Sequence, residues 1–179
     1  MRARPANDSP GPRWTRHLAP LLLAWVLAAA WGSVVQTQWN LQALVGLGVD
    51  IPVAERARMT WQDLIGFAPV YGGILAAGWL IALPVAAFLA RRWPGGRIAL
   101  LAAAAGLGMV AAVRTVDAVA PLPVFIDATR HLPGLLAMMA GAVIAGLVYA
   151  RLTQHRGQYP QQQYQQTASQ PDKRKPHKP

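Results

Sequence analysis

The sequence contains no cysteine among its 179 residues. Disulfide bonds, thiolate metal sites, iron–sulfur clusters and thiol redox catalysis all require that side chain, so the chain can use none of them. The same absence removes redox chemistry as a source of information about the compartment in which the protein resides.

Charged residues are also scarce. Asp, Glu, Lys and Arg together make up 13% of the chain, whereas apolar residues make up 54% and the mean hydropathy is +0.25. A soluble domain has about 25% charged residues, so this composition favours a compact membrane domain. The formal net charge is nevertheless +10, because 17 basic residues outnumber 7 acidic ones.

Motifs of catalysis and cofactor binding are absent from the sequence. The chain has no nucleophile elbow, no H-E-x-x-H pair, no P-loop and no Rossmann fingerprint. Membrane haem sites need paired histidines inside facing helices, whereas His17, His131, His155 and His177 fall in flanks, a loop and the tail. We therefore predict no catalytic residue, no metal site and no cofactor.

The prominent feature is a set of four long apolar stretches, residues 18–36, 67–90, 98–119 and 132–150. A hydrocarbon core of about 30 Å is crossed by roughly 20 helical residues, because each residue rises about 1.5 Å. The predicted fold class is therefore all-α, a polytopic bundle of four transmembrane helices over residues 18–151. A basic cytoplasmic segment, residues 1–17, precedes it, and a disordered, basic, Gln- and Pro-rich cytoplasmic tail, residues 152–179, follows it.

The positions of Lys and Arg predict the orientation, because cytoplasmic flanks of transmembrane helices carry an excess of these residues. With the N-terminus inside, 13 of the 17 fall on the cytoplasmic side: Arg2, Arg4, Arg13, Arg16, Arg91, Arg92, Arg97, Arg151, Arg156, Lys173, Arg174, Lys175 and Lys178. The outer side then holds Arg56, Arg58, Arg114 and Arg130 with Asp50, Glu55, Asp63, Asp117 and Asp127. Both termini are thus predicted to be cytoplasmic, and the compact loops and Ala/Gly/Arg-rich composition favour a bacterial inner membrane.

The first apolar stretch has an alternative interpretation as a signal peptide. A basic region precedes it, and Ala28-Ala29-Ala30 matches an A-x-A cleavage site. The apolar run, however, continues through Trp31 and Val35 without a polar cleavage region, so a retained first span is the preferred interpretation.

The connection between the first two spans, residues 37–66, is predicted to contain a short outer-face interfacial helix. Residues 53–64 have the pattern of an amphipathic helix on the membrane surface, with Trp61 at headgroup depth. Thr60 is predicted to restart the chain as a helix N-cap, with Asp63 completing a capping box.

Small residues spaced four apart predict close helix packing, because helices in lipid associate through van der Waals contact. Such rows are Gly73, Ala77 and Ile81 on the second span, Ala104, Gly108 and Ala112 on the third, and Ala137, Gly141 and Ala145 on the fourth. We favour packing within one chain over homodimerisation.

The C-terminal tail from Gly157 is predicted to be disordered, because it is rich in Gln and Pro and has no apolar periodicity. Its basic cluster at 173–175 would attract anionic lipid by about 1 kcal/mol per residue.

Membrane lipids are the expected partners, with another membrane protein or a second copy of this chain as a further possibility. Nucleic acid is disfavoured, because the basic residues lie at the chain ends and in one loop rather than on a folded face.

Polar residues gather at the predicted outer ends of the spans. Arg114 and Asp117, spaced i and i+3, share one helix face near the outer interface, where they could pair with each other or form a site. The predicted outer-face polar cluster consists of Gln36, Gln38, Asn40, Asp63, Arg114, Asp117, Asp127, Arg130 and His131. It could bind an anionic headgroup, relay a proton or anchor a partner, or it could simply solvate the rim.

Three functional hypotheses follow. The preferred one is a non-enzymatic accessory, assembly or lipid-interacting component of the membrane. The second is a small transporter or channel subunit, although the middles of all four spans lack Asp and Glu. The third is a membrane enzyme acting on a lipid headgroup at the outer face, with His131 and either Asp117 or Asp127 as acid and base.

Overall fold

A computed structural model describes residues 15–119 and 126–155. Within these ranges the chain is entirely helical and contains no strand. The long helices are α1 (Thr15–Gly46), α2 (Val53–Arg92), α3 (Arg97–Val119) and α4 (Leu132–His155), and short 3-10 turns occupy Pro94–Gly96 and Asp127–Arg130. Each long helix is long and apolar enough to cross a membrane, which confirms the prediction of four long apolar helices.

The four helices pack side by side in a closed ring. Helix α1 contacts α2, α2 contacts α3, α3 contacts α4, and α4 returns to α1. The connections 47–52 and 93–96 are short, so the helices that they join are antiparallel neighbours. Gly48, with φ of +88°, turns the chain after α1 in a conformation that favours glycine.

The two ends of the ring differ in charge. At the Asp63 end lie the α1–α2 connection, Asp63 and the segment 126–131, whereas the Arg97 end holds Arg97 and the last turns of α2 and α4. The carboxylates of the described residues all belong to the Asp63 end: Asp50, Glu55, Asp63, Asp117 and Asp127. Arginines at the Arg97 end therefore have no described carboxylate near them.

Helices α2 and α3 come into backbone contact at Gly78 and Gly108. A Cβ atom at Gly78 would overlap the carbonyl oxygen of Gly108 and lie 2.9 Å from Ala112 Cβ. Beside this contact the buried Trp79 donates its indole N–H to the carbonyl oxygen of Ala105, at 2.9 Å. The two glycines thus permit the close approach that this hydrogen bond requires.

Indole groups also join α1 to both of its neighbours. Trp25 Nε1 donates to the carbonyl oxygen of Gly72 in α2 at 2.8 Å, and Trp31 Nε1 donates to that of Ala137 in α4 at 2.9 Å. A tryptophan that packs in an apolar setting needs such a partner for its N–H, so these two bonds fix the ring planes as well as the helix spacing.

Arg97 connects the start of α3 to the end of α4. Its guanidinium donates to the carbonyl oxygen of Ala150 at 3.1 Å and to Thr153 Oγ1 at 2.8 Å. Charge-assisted hydrogen bonds of this kind are stronger than neutral ones, so Arg97 holds this end of the ring closed.

The predicted separate interfacial helix is not found. Residues 53–64 are helical, but they form the first part of α2, which runs without interruption from Val53. The N-cap of α2 is Pro52, so the prediction of Thr60 as an N-cap with Asp63 in a capping box is wrong. Thr60 instead donates its hydroxyl to the carbonyl oxygen of Arg56 at 2.8 Å, which lets the side chain sit inside a helix.

Each predicted small-residue row on α3 and α4 contains a glycine at a helix contact, whereas the glycine of the row on α2 is not at a contact. Gly108 packs against α2, and a Cβ atom at Gly141 would overlap the Trp31 ring of α1. Gly73, in contrast, faces open space: a Cβ atom added there would have no neighbouring atom within 4 Å. Gly78 makes the contact with α3 instead. Residues 152–155, which the sequence analysis places in the disordered tail, continue helix α4, and the rest of that tail lies outside the described residues.

Candidate functional site

A stripe of polar side chains follows the inward face of α1 at the Asp63 end. Ser33, Gln36 and Thr37 are buried, and Asn40 lies one turn further along at the exposed margin. The spacing of i, i+3, i+4 and i+7 places these four residues on one helix face.

Gln36 joins α1 to the segment that precedes α4. Its Oε1 accepts a hydrogen bond from the backbone N–H of Ala128 at 2.9 Å, and its Nε2 lies 3.5 Å from Asn40 Oδ1. Ala128 is fully buried, so its N–H needs an acceptor, and the amide of Gln36 provides one across a sequence separation of 92 residues.

Thr37 joins α1 to α2 through Asp63. Thr37 Oγ1 lies 2.7 Å from Asp63 Oδ2 and 2.9 Å from the carbonyl oxygen of Ser33. The hydroxyl has a single proton, and the carboxylate is the stronger acceptor of the two. The next residue of α1, Gln38, donates from its Nε2 to Thr60 Oγ1 at 3.0 Å, in an exposed position.

Arg114 and Asp117 do not form the ion pair that their spacing allows. Both belong to the described part of α3, yet their charged atoms are not within salt-bridge distance of each other. Arg114 points outward and is exposed, whereas Asp117 is half-buried. The residues are thus neighbours on the helix but have different surroundings.

The short 3-10 turn before α4 contains a local ion pair. Arg130 Nε lies 3.1 Å from Asp127 Oδ1, and both side chains are substantially exposed. His131 follows with an exposed side chain, which within the described part of the chain makes no hydrogen bond to a carboxylate. An acid–base pair of His131 with Asp117 or Asp127 is therefore not assembled in this structure.

The predicted outer-face polar cluster is thus divided into separate parts. Gln36 and Asn40 contact each other and Ala128, Asp63 is held by Thr37, and Gln38 contacts Thr60. Asp127 and Arg130 form a further pair on the turn before α4. All nine lie at the Asp63 end.

Sequence reasoning missed Thr37 and Ser33, which lie closer to the core than most of the predicted residues. The signal was present, because Ser33 and Thr37 continue the i, i+3, i+4 pattern through Gln36. Ser33 Oγ and the hydroxyl of Tyr71 are buried and have no hydrogen-bond partner in the described part of the chain. Interior hydroxyls of this kind are satisfied by water or by a ligand group.

The contacts that join the helices at the Asp63 end are hydrogen bonds. The described residues contain no group of three or more His, Asp or Glu side chains placed to hold a metal ion. The amide of Gln36 and the hydroxyl of Thr37 are already used within the chain. The arrangement therefore braces α1 against α2 and against the start of α4.

Comparison with known protein families, with curated proteins and with solved structures finds no match to this chain.

Proposed function

We propose that this chain is a four-span integral protein of a bacterial inner membrane, with both termini on the cytoplasmic side. There it acts as a non-enzymatic accessory or assembly component that interacts with lipid or with another membrane protein. The observation that carries this proposal is the apolar surface that the four helices turn away from their common core.

Large apolar side chains at mid-height of the ring face outward. Leu80 is 78% exposed, Ile81 71% and Leu107 65%. Leaving such a side chain in water costs about 1.5–3 kcal/mol relative to burying it. Hydrocarbon around the ring removes this cost for every outward side chain at once, which supports a membrane environment.

The charge distribution supports the proposed orientation. The arginines of the Arg97 end include Arg91, Arg92, Arg97 and Arg151, and no described carboxylate accompanies them. At the Asp63 end, four arginines are balanced by five carboxylates. Cytoplasmic flanks carry the excess of Lys and Arg, so the Arg97 end is assigned to the cytoplasmic side.

The composition of the core favours an accessory role over a transporter or channel. At mid-height the core includes Ala24, Leu75, Ala105, Met109 and Ala142, all of which are buried. A conducted ion or polar solute needs a chain of polar groups through that level. After His17, the next charged, hydroxyl or amide side chain of α1 is Ser33, nearer to the Asp63 end.

Membrane insertion and orientation can be tested with single cysteines, because the natural chain has none. Val49→Cys lies in the exposed α1–α2 connection, and Gly95→Cys lies in the exposed turn between α2 and α3. A membrane-impermeant maleimide should label the first variant in intact cells and the second only after permeabilisation. Labelling of both variants in intact cells contradicts insertion, and the opposite pattern contradicts the orientation.

The accessory role is tested by affinity purification of the full chain in mild detergent, followed by mass spectrometry of both proteins and lipids. The expected result is a reproducible partner protein or a lipid enriched above its share of the membrane. Purified protein that moves a solute across liposomes, or that turns over a lipid, would replace this proposal with the transporter or the enzyme hypothesis.

A further inference from the structure

An apolar groove opens on the outside of the ring between α1 and α2 and reaches Tyr149 of α4. Its cavity volume is about 420 Å³, within the range of small-molecule sites, and its walls are almost entirely apolar. Two of its walls are held rigidly, because Trp25 and Trp79 each donate their indole N–H to a backbone carbonyl of a neighbouring helix. The groove is therefore preformed.

The length and position of the groove match one leaflet of a bilayer. On α2 its lining runs from Ala76 to Ala87, which corresponds to about 16 Å of helix. Half of a hydrocarbon core is about 15 Å. The groove thus extends from near the middle of α2 toward the Arg97 end over the depth that a single acyl chain occupies.

The same helix face continues from the groove into an arginine. Arg91 lies one turn beyond Ala87 and in line with Pro84, so it stands at the mouth of the groove, about 6 Å past the last lining residue of α2. Its side chain is exposed, and the described carboxylates all lie at the opposite end of the ring. Arg92 also ends α2 but projects from the other side of the helix.

We propose that this groove and Arg91 form a binding site for an anionic glycerophospholipid, with one acyl chain in the groove and the lipid phosphate on the Arg91 guanidinium. The site rests on the proposed function, because it presupposes that the ring spans a membrane. Guanidinium groups bind phosphate with charge-assisted hydrogen bonds, and the apolar groove supplies the complementary surface for the chain. The site lies at the opposite end from the predicted outer-face polar cluster.

The test measures retention of lipid by the full-length protein in native mass spectrometry, after exchange with phosphatidylglycerol or phosphatidylcholine of the same acyl chains. Wild-type protein should retain phosphatidylglycerol in preference to phosphatidylcholine. Generic attraction of an anionic lipid to one cation corresponds to about fivefold in affinity. A charge-assisted hydrogen bond adds about a further tenfold. Arg91→Gln should therefore lower phosphatidylglycerol affinity about fiftyfold, and the matched control Arg92→Gln about fivefold or less.

A second pair of variants tests the groove without altering charge. Ala87→Trp fills the groove from its exposed lining, whereas Val85→Trp places the same side chain on the opposite, lipid-facing side of α2. Ala87→Trp should lower phosphatidylglycerol retention at least tenfold, and Val85→Trp should leave it unchanged. Circular dichroism should show that both variants keep the helical fold.

Equal retention of the two lipids, or equal effects of the two arginine variants or of the two tryptophan variants, overturns the site. Such results would leave the membrane proposal intact if the cysteine labelling shows insertion. Cysteine labelling that shows no insertion would remove both proposals together.

Discussion

The contact between Gly78 and Gly108 predicts that Gly78→Ala separates α2 from α3. The added Cβ atom would meet a backbone carbonyl oxygen rather than the flexible end of a side chain. Backbone cannot rotate away as a side chain can, so relief requires the helices to move apart by about 1 Å. That movement acts directly on the neighbouring bond from Trp79 Nε1 to Ala105, which is 2.9 Å long.

The cost can be worked out from these two contacts. Overpacking of a close interface costs about 1–3 kcal/mol. Loss of the Trp79 hydrogen bond adds about 0.5–1.5 kcal/mol. Helices prefer Ala over Gly by about 1 kcal/mol, which offsets part of this sum. The offset is smaller if the detergent-unfolded state keeps its helices, because the preference then stabilises both states. The expected net destabilisation is therefore about 1–4 kcal/mol.

The assay is unfolding of the purified protein in mild detergent by titration with sodium dodecyl sulfate, followed by tryptophan fluorescence. Gly73→Ala is the matched control, because it makes the same change on the same helix where no neighbouring atom lies within 4 Å. Only the helix preference for Ala acts at that position, so Gly73→Ala should be as stable as the wild type or more stable by up to about 1 kcal/mol. If Gly78→Ala is as stable as this control, the close packing of α2 on α3 inferred from the structure is refuted.

Two further variants test the polar connections at either end of the ring by the same titration. Arg97→Gln removes charge-assisted hydrogen bonds to α4 and should destabilise the protein by about 1–3 kcal/mol, whereas the exposed Arg151→Gln should have little effect. An equal effect of both would show that net charge, not geometry, is responsible. Thr37→Val removes the hydroxyl that donates a hydrogen bond to the half-buried carboxylate of Asp63, and it should lower the free energy of unfolding by about 1–3 kcal/mol. The exposed Gln38→Leu should lower it by less than about 0.5 kcal/mol. A neutral effect of Thr37→Val would mean that water replaces the hydroxyl.

The positions of the four helices could be predicted from the sequence because long apolar runs have few alternatives. Helix ends were predicted less well, and α2 is the instructive case. Thr60 and Asp63 match a capping box, but the helix already begins at Val53 after Pro52. A local pattern indicates where a helix can start, whereas the contact of Asp63 with Thr37 on another helix stabilises the continuous form.

The predicted outer-face polar cluster stays a prediction as a site, and the contacts among its residues could not be predicted from the sequence. The sequence places Gln36, Asp63 and Asp127 at the same end of the ring, since each flanks an apolar run. It could not show that Gln36 would serve the backbone of Ala128, or that Thr37 would be the partner of Asp63. Those choices depend on the distance and rotation between helices that are far apart in the chain.

By itself, the sequence determined the helical class, the number of apolar helices and the separation of acidic from basic residues along the chain. These properties follow from hydrophobicity and charge summed over many residues, which no single contact can reverse. Tertiary structure decided which face of each helix turns inward. Ala and Gly occur on every face of these helices, so periodicity cannot distinguish Gly73 from Gly78, and only the fit of α2 against α3 places one in open space and the other in contact.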